Sequence, residues 1–416
     1  MCLLLGEWMV RDDRHALTAR ARAPRLASGT IALPVAALPR GATPPIRASA
    51  DGRGAGASAG TVARTGGEPG GGWRSRLWRM NAIPLARPRI GDLEAGARNA
   101  ISDVPGVVVG HATLAQGEVQ TGATAIRFHG GDHFRDKLAA ASVVFNGFGK
   151  SVGLVQVDEL GQLETPVVLT NTLSVGTAAT ALARRAVAEN PAIGRRTSTV
   201  NPVVFECNDG YLNDIQGFHV SEADVLAALD SCTPGFARGA VGAGRGMTAY
   251  GFKGGIGTAS RVVALDGARF HLGALVLANF GRMPDLVVDG RKLGRERAAA
   301  DEATPERGSV IVVLATDVPL EHRQLRRVAA RAVVGLARTG SFLGHGSGDI
   351  ALAVSTAEPI RHAERADVVA RRVLNEQRID ALFRAAAEST EDAVLDALFS
   401  AEDVVGRDGH ARAALA

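Results

Sequence analysis

The chain holds few of the residues that staple or metallate a fold. Only three of its 416 residues are cysteine, Cys2, Cys207 and Cys232, too few for a disulfide framework or a four-ligand zinc site. The ten histidines show no H-E-x-x-H or comparable spacing, so no metal is expected. No apolar run approaches ~18 residues, the length that spans a bilayer as a helix, and no membrane partner is expected. Aromatic residues make up 4% of the chain, and only two are tyrosine. Lysine is absent from residues 1–80, which carry 12 arginines against 5 acids, whereas residues 81–416 carry 35 basic against 38 acidic residues. The net positive charge therefore belongs to the first 80 residues. A nucleic-acid partner is not expected, because a basic patch counts only on a folded surface.

Residues 1–80 lack sustained periodicity, and 51–72 are rich in Gly, Ala, Ser and Thr. They read as a disordered tail. The start, MCLLLGEWMV, has no basic n-region and its apolar run breaks at Gly6-Glu7, which argues against a secretory signal. An Arg-rich transit peptide is one reading of the tail. The preferred one is a start codon placed too early, with Met80 a natural beginning and the cytoplasm as the compartment. Residues 81–416 are expected to form a single domain, long enough to bury a core without metals or disulfides.

Strand-like runs recur at 106–109, 141–145, 167–169, 272–278, 310–314 and 350–354. Helical stretches alternate with them. Residues 174–189 are Ala-rich and stop before Pro191; 221–229 begin with a cap-like Ser221 and Asp224 three residues on. Residues 320–338 place Leu325, Val328, Ala332 and Leu336 on one face, and 363–398 read as mostly helical. Strands and helices are interspersed without a regular βαβ repeat, which favours a layered α/β sandwich over a doubly wound sheet.

Gly308-Ser309 sits where a polar stretch, residues 291–307 (RKLGRERAAADEATPER), meets the β-branched run 310–314. The first reads as exposed linker and the second as a strand buried on both faces. A break before Ser309 would give an N-terminal serine, whose own α-amine can take the hydroxyl proton. The bland reading is that Gly-Ser ends a loop, and Gly340-Ser341 and Gly346-Ser347 repeat the dipeptide. Residues 208–214 (NDGYLND) combine turn chemistry with Tyr211, whose hydroxyl could orient or protonate a reacting group. Asn279 ends an apolar strand, either as a turn former or as a donor to a developing oxyanion. Ser347 and Asp349 are two apart before a strand, so strand geometry would point them the same way; turn capping is the alternative. His345 reads as a turn residue. Residues 241–247 and 253–260 read as glycine-rich loops, neither of them a phosphate-binding fingerprint.

These segments together resemble the DmpA family of L-aminopeptidase/D-esterases, which includes the β-peptidyl aminopeptidases. The matching stretches are 101–111 (ISDVPGVVVGH), 163–166 (LETP), 169–176 (LTNTLSVG), 208–214, 252–261 (FKGGIGTASR), 278–281 (ANFG), 308–309 and 347–349 (SGD). They follow the family order across nearly all of residues 90–357. The resemblance implies a four-layer α-β-β-α sandwich, shared with ornithine acetyltransferases, as one catalytic domain over 81–416. It also implies self-cleavage between Gly308 and Ser309 into an α and a β chain. Ser309 would be the nucleophile, Ser347 and Asp349 its support, Asn279 the oxyanion donor and Tyr211 the active-site tyrosine. Some relatives carry Glu at the Asp349 position, so the shorter acid alters the reach of that relay. Expected substrates are short peptides, amides or esters, with no cofactor, in a homo-oligomer, a tetramer of αβ units. Two alternatives stay open on the same scaffold: an acyltransferase of the ornithine acetyltransferase type, which uses threonine as the new N-terminus, and a non-catalytic small-molecule binding protein.

Overall fold

The computed structural model of the chain describes residues 85–297, 306 and 308–416. The expected tail, and residues 298–305 and 307 of the expected linker, lie outside the described residues. In chain order the strands are β1 (Val108–Gln116), β2 (Val119–Arg127), β3 (Asp136–Gly147), β4 (Gln162–Leu163), β5 (Val167–Asn171), β6 (Val203–Cys207), β7 (Thr248–Ala249), β8 (Phe252–Lys253), β9 (Gly255–Leu265), β10 (Ala268–Asn279), β11 (Ser309–Thr316), β12 (Gly348–Arg361), β13 (Val404–Val405) and β14 (Ala411–Arg412). The helices are α1 (Leu154–Leu160), α2 (Val175–Glu189), α3 (Glu222–Asp230), α4 (Leu293–Arg297), α5 (His322–Ala329), α6 (Ala332–Arg338) and α7 (Asp380–Phe399).

The first of two large sheets runs β1-β2-β5-β6 and the second β4-β3-β12-β11-β10-β9, while β7-β8 and β13-β14 form two-stranded sheets. The period of two in β11 sorts its side chains between layers. Ile311 and Val313 pack towards the first sheet, with Leu169, Val203 and Phe205. Val310, Val312 and Leu314 pack on the other face, with Leu325, Val328, Leu382 and Val394 from the helices. A third cluster joins Ala125, Val168 and Val204 of the first sheet to Ala178, Leu182, Val225 and Ala228 of α2 and α3. The layers are therefore helix, sheet, sheet, helix, the expected α-β-β-α sandwich.

Four local expectations need correction. The helix expected over 320–338 is two, α5 and α6, although its four apolar residues share one cluster. Only 380–399 of the expected helical stretch 363–398 is α-helix; residues 363–373 are exposed throughout, and a short segment without a buried face has little to hold a helix. Residues 253–260 are mostly strand β9 rather than loop, and their glycines serve close approach. A Cβ on Gly257 would lie 2.0 Å from the Ala393 carbonyl of α7. Finally, the expected exposed linker contains α4, with Leu293 buried, and Glu306 is only 7% exposed.

Helix α7 turns Glu388, Asp392 and Asp396, spaced by four, to one face. Fully buried Arg261 meets Glu388 at 3.3 Å and Asp392 at 3.2 Å, while Arg87 meets Asp392 at 2.6 Å and Arg238 meets Asp396 at 3.1 Å. Cutting a buried pair strands the remaining charge, which costs about 3–5 kcal/mol. Asp392→Ala is thus expected to lower unfolding stability by about 3 kcal/mol in a urea titration. A drop below ~1 kcal/mol would show that this cluster is no more than a solvated surface pair.

Candidate active site

Strand β11 is central in its sheet, and its two neighbours place the rest of the site by register. Ser309, its first residue, pairs with Asn279 of antiparallel β10 and with Gly348 of parallel β12. Ser309 is 6% exposed, and its hydroxyl accepts the Gly348 N–H at 3.1 Å. Behind it the Cys207 thiol donates to the Ser309 carbonyl at 3.4 Å. Burial pushes that thiol well above its usual range, which leaves it protonated and inert.

Gly348 separates Ser347 from Asp349, and both flanking side chains are buried. The Ser347 hydroxyl makes a short hydrogen bond to Asp349 Oδ2. It also lies 2.7 Å from the Gly344 carbonyl and accepts from Asn146 Nδ2 at 3.1 Å. One hydroxyl carries one proton, so these contacts define two arrangements. With Asp349 ionised, Ser347 donates to it; with Asp349 neutral, Asp349 donates to Ser347 and Ser347 to Gly344. Burial, reinforced by the Glu306 charge, pushes the Asp349 carboxyl up to about 6 against the opposing Ser347 bond, so both arrangements are accessible near neutrality. Asp349 Oδ1 has no hydrogen-bond partner among the described residues.

Asn279 is held at both ends of its amide. Its Oδ1 accepts from the Thr248 N–H at 2.9 Å and its Nδ2 donates to the Asn208 carbonyl at 3.0 Å. The second Nδ2–H has no partner among the described residues and is available to an oxyanion. A cleft of about 490 Å³ opens here, lined by Asn208, Tyr211, Asn279, Glu306, Gly308 and Arg412 among others. Tyr211 stands at its rim, 38% exposed. Its hydroxyl accepts from Arg412 at 2.6 Å, and the guanidinium lies 3.8 Å from the ring centroid. The structure thus gathers Ser309, Asn279, Ser347 and Asp349 at one end of three adjacent strands, with Tyr211 across the cleft. His345 is exposed in its turn.

Several residues of the site were not singled out in the sequence. Asn146 reaches Ser347 because β3 pairs with β12, Asp349 opposite Asn146; nothing local signals that. Glu206 is 2% exposed in the apolar strand β6, and an acid inside that run was a usable signal. Its carboxylate accepts the Lys150 N–H at 2.8 Å and the Thr172 hydroxyl, with no cationic partner among the described residues. A Cβ on Gly149 would lie 3.8 Å from Glu206 Oε1 and 3.7 Å from Gly348 Cα, which places Glu206 beside Gly348, the sheet neighbour of Ser309. Buried Lys253 donates to the carbonyls of Gly244, Met247 and Gly254 at 2.6–2.9 Å. It thereby fixes the loop from which Thr248 orients Asn279.

A serine at a strand start, set beside an amide donor within two sheets sandwiched by helices, defines the class as an N-terminal-nucleophile type of hydrolase. The profile of peptidase family S58 matches residues 99–412, and the chain belongs to that family. It is 37% identical over 354 residues to the β-peptidyl aminopeptidase BapA of Sphingosinicella microcystinivorans, covering 78% of this chain and 88% of that protein. The BapA of Sphingosinicella xenopeptidilytica is 38% identical over 354 residues, covering 77% and 87%. Among solved structures, a Burkholderia sp. β-aminopeptidase aligns with TM-score 0.73 at 42% identity, covering 79% of this chain and 94% of that one. The L-aminopeptidase D-Ala-esterase/amidase of Ochrobactrum anthropi, described as a prototype serine aminopeptidase and a variant of the Ntn-hydrolase fold, aligns with TM-score 0.73 at 38% identity and the same coverage. The chain is accordingly a serine-type aminopeptidase with amidase/esterase relatives, and the acyltransferase and non-catalytic alternatives lose their support.

A carboxyl whose pKa is raised by folding stabilises the protein fully below its unfolded value, and that contribution is lost as pH rises through the folded value. For Asp349 the window runs from ~4 to about 6. In a Ser309→Ala background, Asp349→Asn is expected to reduce the fall in melting temperature between pH 4.5 and 7.5. An unchanged pH slope would mean that Asp349 titrates like an exposed carboxylate.

Proposed function

We propose that Ser309 is the nucleophile of this aminopeptidase and becomes the N-terminal residue of a β chain by self-cleavage after Gly308. The observation that carries the proposal is the register that sets Ser309 opposite Asn279 and beside Gly348, with Gly308 lining the cleft. Gly308 suits the attack because a Cβ there would lie 2.3 Å from the Asn279 carbonyl oxygen and 2.4 Å from Phe280 Cα; the bond to be cut passes where only glycine fits.

In the first step Ser309 Oγ adds to the Gly308 carbonyl carbon. The new Oγ–C ester bond forms, the Gly308–Ser309 C–N bond breaks, and the hydroxyl proton passes to the Ser309 nitrogen. Water then hydrolyses the ester, leaving a Gly308 carboxylate and a free amine on Ser309. That amine has a reference pKa of about 7.7–8.0, so part of it is a neutral base near pH 7. In turnover it takes the Oγ proton as Oγ attacks the substrate carbonyl, and gives it to the departing amine or alcohol. The uncommitted Asn279 amide N–H stabilises the oxyanion, and water releases the acyl group by the same path reversed. Ser347 and Asp349 orient the strand end that holds Ser309 Oγ through the Gly348 N–H, and Tyr211 with Arg412 borders the substrate.

The substrates proposed are short peptides, amides or esters with a free N-terminal amine. A cleft of about 490 Å³ is of small-ligand size. Glu206, buried beside the strand end with no cationic partner among the described residues, is the group assigned in this proposal to the substrate's ammonium. One catalytic domain over 81–416 and its tetrameric assembly from cleaved units are further parts of the proposal, supported by the family resemblance; a cytoplasmic location is a further part, supported by the scarcity of cysteine.

Intact masses under denaturing conditions test the nucleophile. The wild type should give two chains, the smaller beginning at Ser309, and Ser309→Ala one inactive chain. A two-chain Ser309→Ala protein would sink the mechanism. Glu206→Gln should still be cut but show kcat/KM for a dipeptide reduced at least ~30-fold, as one buried charge-assisted contact of about 2 kcal/mol is lost; an equal loss on a substrate lacking the amine would exclude the ammonium role.

A further inference from the structure

Glu306 is an acid buried in the cleft, three residues before Ser309, in a stretch whose composition suggested open linker. It is 7% exposed and has no cationic partner among the described residues. Its two carboxylate oxygens go to two different parts of the site. Oε1 accepts the Gly281 N–H at 3.0 Å and Oε2 accepts the Gly344 N–H at 3.0 Å. Gly281 follows Asn279 by two residues, so the first bond ties to the oxyanion side. Gly344 begins the turn whose carbonyl receives Ser347 at 2.7 Å and Asn146 at 2.6 Å, so the second ties to the relay side.

The fit is close as well as polar. A Cβ on Gly344 would lie 2.7 Å from Glu306 Cβ, so the acid's stem rests on the glycine backbone. A carboxylate accepting from two backbone N–H groups makes two charge-assisted bonds, roughly twice as strong as neutral ones. The mature reaction as derived above does not use this residue. Its placement matters to the bond after Gly308, which must be held against Ser309 Oγ from the upstream side.

We infer that Glu306 is a positioning residue for self-cleavage, pinning the chain upstream of Gly308 to both halves of the site at once. The inference rests on the reading that Ser309 cuts the Gly308–Ser309 bond. Before the cut, the strand ladders fix Ser309 on one side of that bond and the Glu306 clamp fixes the other, so the attacked carbonyl is held near the hydroxyl. A displacement of ~1 Å can cost ~100-fold in an attack of this kind. The Glu306 charge also pushes the Asp349 carboxyl up, after burial as the larger cause.

The test is a time course of cell-free synthesis, quenched in acid and read by intact mass, for wild type, Glu306→Gln and Glu306→Ala. Melting temperatures of the same substitutions in the Ser309→Ala background monitor the uncut fold. The expected result is slower appearance of the chain starting at Ser309, at least ~10-fold for alanine, at a temperature where the melting curves show each variant still folded. Glutamine should fall between, since its amide offers an acceptor to only one of the two N–H groups. Cleavage of Glu306→Ala at the wild-type rate would overturn the clamp and leave self-cleavage standing. Slowing that tracks a matching loss of melting temperature would likewise overturn it, reducing Glu306 to a fold residue. A wild type that stays one chain would overturn the clamp and the self-cleavage reading together.

Discussion

The site depends on one constraint, the double ladder that holds β11. Eight residue pairs join it to β10 in antiparallel register and eight join it to β12 in parallel register. Because strand pairing is set in steps of one residue, a slip would turn Ile311 and Val313 out of the inter-sheet core and Ser309 away from the cleft together. The apolar sorting of Val310–Leu314 between two cores therefore fixes the address of Ser309. Asn279 and Gly348 follow from the same register, and Asn146 from the pairing of β3 with β12.

Charge is placed around this frame in two ways. Under α7, the acids Glu388 and Asp392 are offset by buried Arg261 together with Arg87 and Arg384. Around the site, Glu206, Glu306 and Asp349 are buried without a salt-bridge partner among the described residues, and each is held by hydrogen bonds from backbone or hydroxyl groups. A buried acid of this kind either keeps its proton or waits for a cation. Asp349, pushed up to about 6, lies between the two, gaining or losing its proton near neutrality. Glu206, buried beside the strand end, suits the second, which fits an aminopeptidase.

The sequence was legible wherever a signal was local. The run after Ser309, the cap at Ser221 with Asp224, and the spacing of Ser347 and Asp349 could all be read directly. The four-layer architecture came through family motifs rather than periodicity. What could not be read was non-local or masked by composition. Strand β9 passed for a loop because its glycines answer to the backbone of α7, not to a turn. Glu306 passed for linker because its neighbours are polar, while its own partners, Gly281 and Gly344, lie on separate loops. Residues 363–373 passed for helix because propensity was read without a face to bury.

Strands β10 and β11 are adjacent and antiparallel, so a two-residue turn could join them. The chain instead spends residues 280–308 between them, including α4 with Leu293 buried and Glu306 fastened in the cleft. The proposed cut falls at the last peptide bond of that connection. Ser309 would keep its place through both ladders, and α4 would stay anchored by its own core contacts. A cut inside a tight hairpin would release strain at the nucleophile; a cut at the end of a long, separately anchored connection changes only what β11 must hold still, which is the serine with its new amine.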